Sequence, residues 1–292
     1  MPRLPVPEDL LTLRVPIDLQ LSPDGRWVAF ALKEAGPRLD EYRSSIWLVP
    51  SDGSTPARRL TLGAKNDTSP RWSPDGRSLA FLSDRAAWLQ AGGASDRAEP
   101  AELPREGKVQ VWLLPIDGGE ARQVSRLRRD VTELAWSPDG RRLCLVSAVA
   151  PAREEARPDP SQPPPSDIRL IDRLAYQLNG VGFVYDRPGQ LWLLDVESGE
   201  ASLLTRGRTA VRTPAWSPDG RSIAFAADRR QDADLYWRSD VHLVDVATRR
   251  VTRVTGGRGE QLFGAPAWSP DGRWLAVLGH RYPAAAGSRA DV

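Results

Sequence analysis

Cysteine and histidine are nearly absent from this 292-residue sequence, and lysine is scarce. Cys144 is the one cysteine, so no disulfide forms within the chain and no multi-cysteine metal site exists. It sits in Leu143-Cys144-Leu145-Val146, an apolar run that reads as a strand with a buried thiol. The two histidines, His242 and His280, form no His-x-x-x-His pair for zinc. Lysine supplies only Lys33, Lys65 and Lys108, yet 40 Lys+Arg stand against 38 Asp+Glu, a formal charge of +2. A phosphate-binding surface needs a local excess of positive charge, so this balance argues against nucleic acid. No apolar run approaches the roughly 20 residues that cross a bilayer as a helix. Asp18 and Asp24 interrupt the one N-terminal stretch that could serve as an export signal. The expectation is a soluble, cytoplasmic chain without nucleic-acid or membrane partners.

Catalytic fingerprints are missing too. There is no Gly-x-Ser-x-Gly elbow, no P-loop and no dinucleotide-binding glycine run. His280 follows an apolar strand in Leu278-Gly279-His280-Arg281 with no local nucleophile to activate. No residue is therefore assigned a catalytic, cofactor-binding or metal role.

What the sequence does have is a repeat. Ser-Pro-Asp-Gly-Arg occurs five times, beginning at Ser22, Ser73, Ser137, Ser217 and Ser269, and each copy runs into a short apolar strand. Leu21 precedes the first copy; Trp72, Trp136, Trp216 and Trp268 precede the others. This is turn chemistry. Proline presets φ, serine and aspartate bond nearby N–H groups, and glycine takes the positive φ that reverses the chain. Asp24, Asp75, Asp139, Asp219 and Asp271 are accordingly read as structural, since they lack the D-x-D-x-D-G spacing of a calcium loop.

A second pair of strands follows each turn. Ser45–Pro50 leads to Arg58–Thr61, Val109–Leu114 to Arg122–Ser125, Gln190–Asp195 to Ser202–Thr205, and Asp240–Asp245 to Arg250–Thr255. One repeat thus holds four strands, and radial stacking of such sheets gives each face a neighbour. The fold class expected is all-β: a partial β-propeller of four complete blades, at about 19–61, 70–125, 134–205 and 214–255, and the start of a fifth at 266–280. Seven of the eleven tryptophans fall at two repeat positions, before the turn or on the third strand (Trp47, Trp112, Trp192), which suits packing between blades. His242 occupies the third-strand position in the fourth repeat and is read as structural.

Two insertions break the period, at 84–107 and 150–189. Pro158-Asp159-Pro160 and Pro163-Pro164-Pro165 cannot supply ladder donors and read as surface linker. Ile168 to Gly189 carries aromatics and paired charges, and is expected to form an added hairpin from blade three. Loops on a rigid scaffold carry binding more often than the strands do, so this segment is the expected partner surface.

Pro214-Ala215-Trp216-Ser217-Pro218-Asp219-Gly220-Arg221, followed by Asp228-Arg229, resembles a blade of the TolB-like propellers, and Ser83-Asp84-Arg85 repeats the ending. Pro7-Glu8-Asp9-Leu10-Leu11 running into the first repeat, and Asp172-Arg173-Leu174-Ala175-Tyr176 with Gly180–Phe183, are similar to the N-terminal propellers of prolyl-oligopeptidase-family serine peptidases. The resemblance covers nearly the whole chain. It implies a noncatalytic propeller portion that gates and positions peptides for an α/β-hydrolase domain, with that C-terminal domain as its partner and absent here. Glu154 and Glu155 stand in a proline-rich setting unlike that of the paired glutamates which hold a substrate amino terminus in dipeptidyl peptidases. The alternative is a free-standing TolB-like protein–protein interaction module.

Overall fold

The computed structural model describes residues 4, 6–36, 41–63, 66–85, 108–149, 171–174, 176–178, 182–184, 186–236, 238–256 and 261–280. Among the described residues, a short 3-10 helix, Pro7–Thr12, precedes twenty strands. Strands β1 (Arg14–Leu21), β2 (Trp27–Ala35), β3 (Tyr42–Pro50) and β4 (Arg58–Arg59) form the first sheet in that order. Strands β5 (Asp67–Trp72), β6 (Ser78–Ser83), β7 (Gln110–Pro115) and β8 (Arg122–Gln123) form the second. The third is built from β9 (Val131–Trp136), β10 (Arg142–Ala148), β13 (Gly189–Asp195) and β14 (Ala201–Leu203), with the small hairpin β11 (Gln177–Leu178) and β12 (Gly182–Phe183) inserted between its middle strands. Strands β15 (Arg212–Trp216), β16 (Ser222–Ala227), β17 (Asp240–Asp245) and β18 (Val251–Arg253) make the fourth. A fifth sheet has two strands among the described residues, β19 (Leu262–Trp268) and β20 (Leu275–His280).

The chain divides into two compact units, Met1–Trp136 with Val196–Glu200, and Ser137–Asp195 with Ala201–Val292. In the first, Ala29, Ala31, Ile46, Leu48, Leu79, Phe81, Trp112 and Leu114 make one buried cluster, with Trp27 and Trp72 packed against it. In the second, Leu143, Leu145, Leu191, Leu194, Ile223 and Phe225 are among the fully buried side chains. In β6, β10 and β16 successive side chains on both faces are buried, which is why their apolar runs are nearly continuous rather than alternating.

All five Ser-Pro-Asp-Gly turns have one hydrogen-bond pattern. The serine hydroxyl donates to the aspartate at 2.5–2.6 Å. The aspartate accepts the arginine N–H at 3.0–3.1 Å. The serine oxygen also accepts the N–H five residues on, at 2.9–3.0 Å. Each glycine has φ between 68° and 73°, open to glycine and strained for other residues.

The first strands reach further back than the apolar pattern indicates, and a bulge is the reason. In β1, β5, β15 and β19, two residues oppose one on the partner strand. The bulged residues, Asp18, Ser69, Thr213 and Ala265, each stand four before the turn serine and have φ of 45–54°. None is glycine, so residue type alone does not announce the bulge.

The tryptophans before the turns also do more than pack. Trp72 Nε1–H donates to Gln20 O at 3.1 Å and Trp136 Nε1–H to Arg71 O at 3.1 Å in the first unit; Trp268 Nε1–H donates to Ala215 O at 3.2 Å in the second. Each indole thereby ties its strand to the first strand of the preceding sheet.

Candidate functional site

Strand direction decides where binding loops can lie. In each antiparallel sheet the Ser-Pro-Asp-Gly turn and the third-to-fourth-strand turn share one end. The connections from second to third strand leave from the other end. These connections span 36–41, 84–109, 149–188 and 228–239, so both insertions and the long 228–239 loop belong to the loop end of their sheets. Of the insertions, most of 84–107 and all of 150–170, including Glu154 and Glu155, lie outside the described residues.

In the second unit the loop end is organised by charge. Asp228, with its side chain 7% exposed, accepts the Arg230 N–H at 3.1 Å, Arg230 Nη1 at 3.1 Å and Arg238 Nε at 3.3 Å. Arg230 Nη2 reaches Asp240 at 2.5 Å, and Arg253 Nη1 lies 3.6 Å from the same carboxylate. Arg238 also pairs with Asp232 and lies 4.4 Å from the Tyr236 ring centre. The segment 171–174 joins this loop. Leu174 N–H donates to Asp234 Oδ2 at 3.2 Å, Arg208 Nη2 meets Asp172 Oδ2 at 3.2 Å, and Arg173 bonds the Arg208 carbonyl. Ile171, Leu174, Tyr176, Leu235 and Tyr236 are exposed. Exposed apolar and aromatic groups on a hydrogen-bonded loop scaffold can grip an extended polypeptide.

The first unit carries a related but closed arrangement. Arg85 Nη2 pairs with buried Asp67 at 2.5 Å, Arg85 Nε donates to Ser83 Oγ at 3.0 Å, and the guanidinium lies over the Phe81 and Trp112 rings at 5.1 and 5.2 Å.

Among the described residues, those singled out in the sequence have structural places. The five turn aspartates are held below the usual carboxylate range, first by the serine hydroxyl bond and then by an arginine N–H, against a smaller opposing effect of burial in four of them; in Asp139 burial opposes more strongly than the N–H bond assists. Cys144 is buried in β10 opposite Leu193. His242 is buried in β17, stacked on Phe225 at 5.5 Å, and its Nδ1 lies 3.2 Å from Asp240 O. Burial first, then the charges of Arg229 and Arg253, push its pKa down, against the Asp240 carbonyl and carboxylate. His280 ends β20, paired with Leu262. The sequence reading missed the Asp–Arg networks; the recurring Asp-Arg pair after the second strand was the available signal. Among the described residues no group of three or more His, Cys, Asp or Glu is arranged to hold a metal, and no helix is long and apolar enough to cross a membrane.

Repeated four-stranded antiparallel sheets with this turn chemistry define an all-β fold of the β-propeller kind. Comparison with known proteins agrees. The chain is 32% identical over 251 residues to the uncharacterised peptidase YuxL of Bacillus subtilis, covering 84% of this chain and 34% of that protein. It is 26% identical over 285 residues to dipeptidyl-peptidase 5 of Porphyromonas endodontalis, covering 92% of this chain and 37% of the other. The fold superposes on a putative TolB from Agrobacterium tumefaciens with a TM-score of 0.57 at 20% identity, over 91% of this chain and 70% of that one. No family model matches. Both of these sequence relatives are peptidases by name, and the chain spans about a third of their length.

Proposed function

We propose that this chain is the noncatalytic propeller portion of a prolyl-oligopeptidase-like serine peptidase, gating and positioning peptide substrates for a C-terminal α/β-hydrolase domain. The observation that carries this reading is the 32% identity to a peptidase across 84% of this chain but only 34% of the relative. The geometry supports it in two ways. Each insertion leaves from the loop end of its own sheet, and in the second unit exposed apolar and aromatic side chains there are available to polypeptide. His242 is used in packing and, among the described residues, no nucleophile is bonded to it, whereas acyl transfer needs an activated nucleophile with an oriented base. No catalytic, cofactor or metal residue is assigned to this chain, and a cytoplasmic setting goes with the proposal.

A second reading, a free-standing TolB-like interaction module, is favoured by the superposition on a TolB that covers 70% of that chain. The reading frame beyond Val292 separates the two. An open frame continuing through further Trp-Ser-Pro-Asp-Gly repeats into a Gly-x-Ser-x-Gly elbow is expected. A stop codon directly after Val292 contradicts the peptidase reading. In the full-length product, substitution of the elbow serine abolishes hydrolysis of dipeptidyl substrates. Replacing Leu174 and Tyr236 by serine instead changes KM for longer peptides and leaves single-residue substrates unaffected; no change for either class counts against a gating role.

A further inference from the structure

The repeats act as internal controls on one another, and they isolate one arginine. Arg85 and Arg229 occupy the same repeat position, twelve residues after the turn serines Ser73 and Ser217. In the second sheet every part of the Arg85 side chain has a counterpart: Asp67, six residues before the serine, for its charge; Ser83 for its Nε; Phe81 and Trp112 for its face. In the fourth sheet the matching positions are Val211, Ala227, Phe225 and His242. The carboxylate, the hydroxyl and the indole have all been replaced.

Among the described residues, the carboxylates of this loop network are already engaged, Asp234 by the Leu174 N–H and the others by arginines. Asp228 is held by Arg230 and Arg238, Asp240 by Arg230 and Arg253, Asp232 by Arg238, and Asp172 by Arg208. Among the described residues Arg229 has one polar partner, the Arg206 carbonyl at 3.1 Å from Nη2. Its guanidinium lies against Gly207, whose α-carbon is so close that an added Cβ would sit 3.4 Å from Nη1. A backbone carbonyl and a glycine thus hold the group in place without neutralising it. Arg206, which supplies that carbonyl, makes no ion pair among the described residues either. The residue is exposed where Arg85 is mostly covered, so its free N–H groups are open to a ligand.

We propose that Arg229, seated on the Arg206 carbonyl and Gly207, is a binding site for a carboxylate ligand, of the kind a peptide presents at its C-terminus or on an acidic side chain. A guanidinium offers paired N–H donors that match the two oxygens of a carboxylate, and this one needs no internal pair broken before it binds. Val211 marks the difference between the two sheets: the same fold closes the position with Asp67 in one and leaves it open in the other. The site stands whether or not the chain serves a peptidase, because binding is read on this chain itself.

His242 is a built-in reporter. The charged groups that act on it are Arg229, Arg253 and Asp240, and Arg229 pushes its pKa down. A carboxylate on Arg229 offsets that push, so the imidazole pKa rises on binding. The experiment is an NMR titration of the His242 imidazole in the purified chain, at constant ionic strength, with three blocked dipeptides. Acetyl-Ala-Ala carries a free carboxylate, acetyl-Glu-Ala-amide carries only an acidic side chain, and acetyl-Ala-Ala-amide carries none. The expected result is saturable binding at about 1 mM, the strength of a single charge-assisted contact, for at least one acidic peptide and none for the neutral one. Whichever acidic peptide binds identifies the source of the carboxylate. Arg229→Gln weakens binding by about tenfold or more, and Val211→Asp, which supplies the internal carboxylate found in the second sheet, blocks it while keeping the arginine. If Val211→Asp fails to fold, Arg229→Gln decides alone. Equal shifts with all three peptides, or an unchanged titration in Arg229→Gln, overturn the site.

Discussion

Ser137 is fully buried, and its hydroxyl both donates to Asp139 and accepts the Arg142 N–H, so one oxygen closes the turn between β9 and β10. Ser137→Ala leaves that N–H unpaired and should cost about 1–2 kcal/mol, read as a lower urea midpoint with unchanged slope. The aspartates add a pH dependence whose sign is fixed. Their folded pKa values lie below the unfolded value of about 3.9, so their contribution is present above that pH and is lost as pH falls through the folded pKa. The urea midpoint should therefore drop between pH 5 and about pH 3. Asp139→Asn should remove part of that drop, and an unaltered profile speaks against the turn aspartates as its source. Asp67 is a different case, because its side chain is 1% exposed and paired with Arg85. Asp67→Asn breaks a buried pair and should cost about 3 kcal/mol, more than any single turn substitution.

At the scale of strands and turns, the repeated motif made most of the fold legible. Ser-Pro-Asp-Gly-Arg places a reversal at five known points, and Trp47, Trp112 and Trp192 mark third strands that do pair with the second strands opposite Phe30, Phe81 and Leu145. The bulges were not legible, because Asp18, Ser69, Thr213 and Ala265 share no chemistry and their positive φ is imposed by pairing on either side. The loop-end networks were half legible. Asp-Arg after the second strand is visible in the sequence, but whether Arg85 or Arg229 finds a partner depends on Asp67 or Val211, eighteen residues earlier and brought alongside only by the sheet. The bulge offers a direct check. Ala265→Gly relieves the strain of φ 45° and should stabilise by roughly 0.5–1 kcal/mol, whereas Ala276→Gly on the paired strand should destabilise by a similar amount. Destabilisation at both positions contradicts a strained bulge. The indole bonds are likewise testable: Trp136→Phe keeps the ring but loses the bond to Arg71 O, and should cost about 1 kcal/mol.

Across the molecule, each sheet supplies a frame and the connections at its own loop end differ from repeat to repeat, a division of labour that suits the proposed scaffold role. Turn chemistry, indole bonds and buried Asp–Arg pairs all support the frame. The exposed aromatics, and Arg229, which has no carboxylate partner among the described residues, lie on the connections between strands. The most direct test of the central claim is labelling by a fluorophosphonate probe together with turnover of dipeptidyl chromogenic substrates, on pure 1–292 protein and on the full-length gene product in parallel. No labelling and no turnover are expected of 1–292, and both of the full-length product, with the label on a serine beyond Val292. Labelling of a serine within 1–292, accompanied by turnover, would contradict that claim.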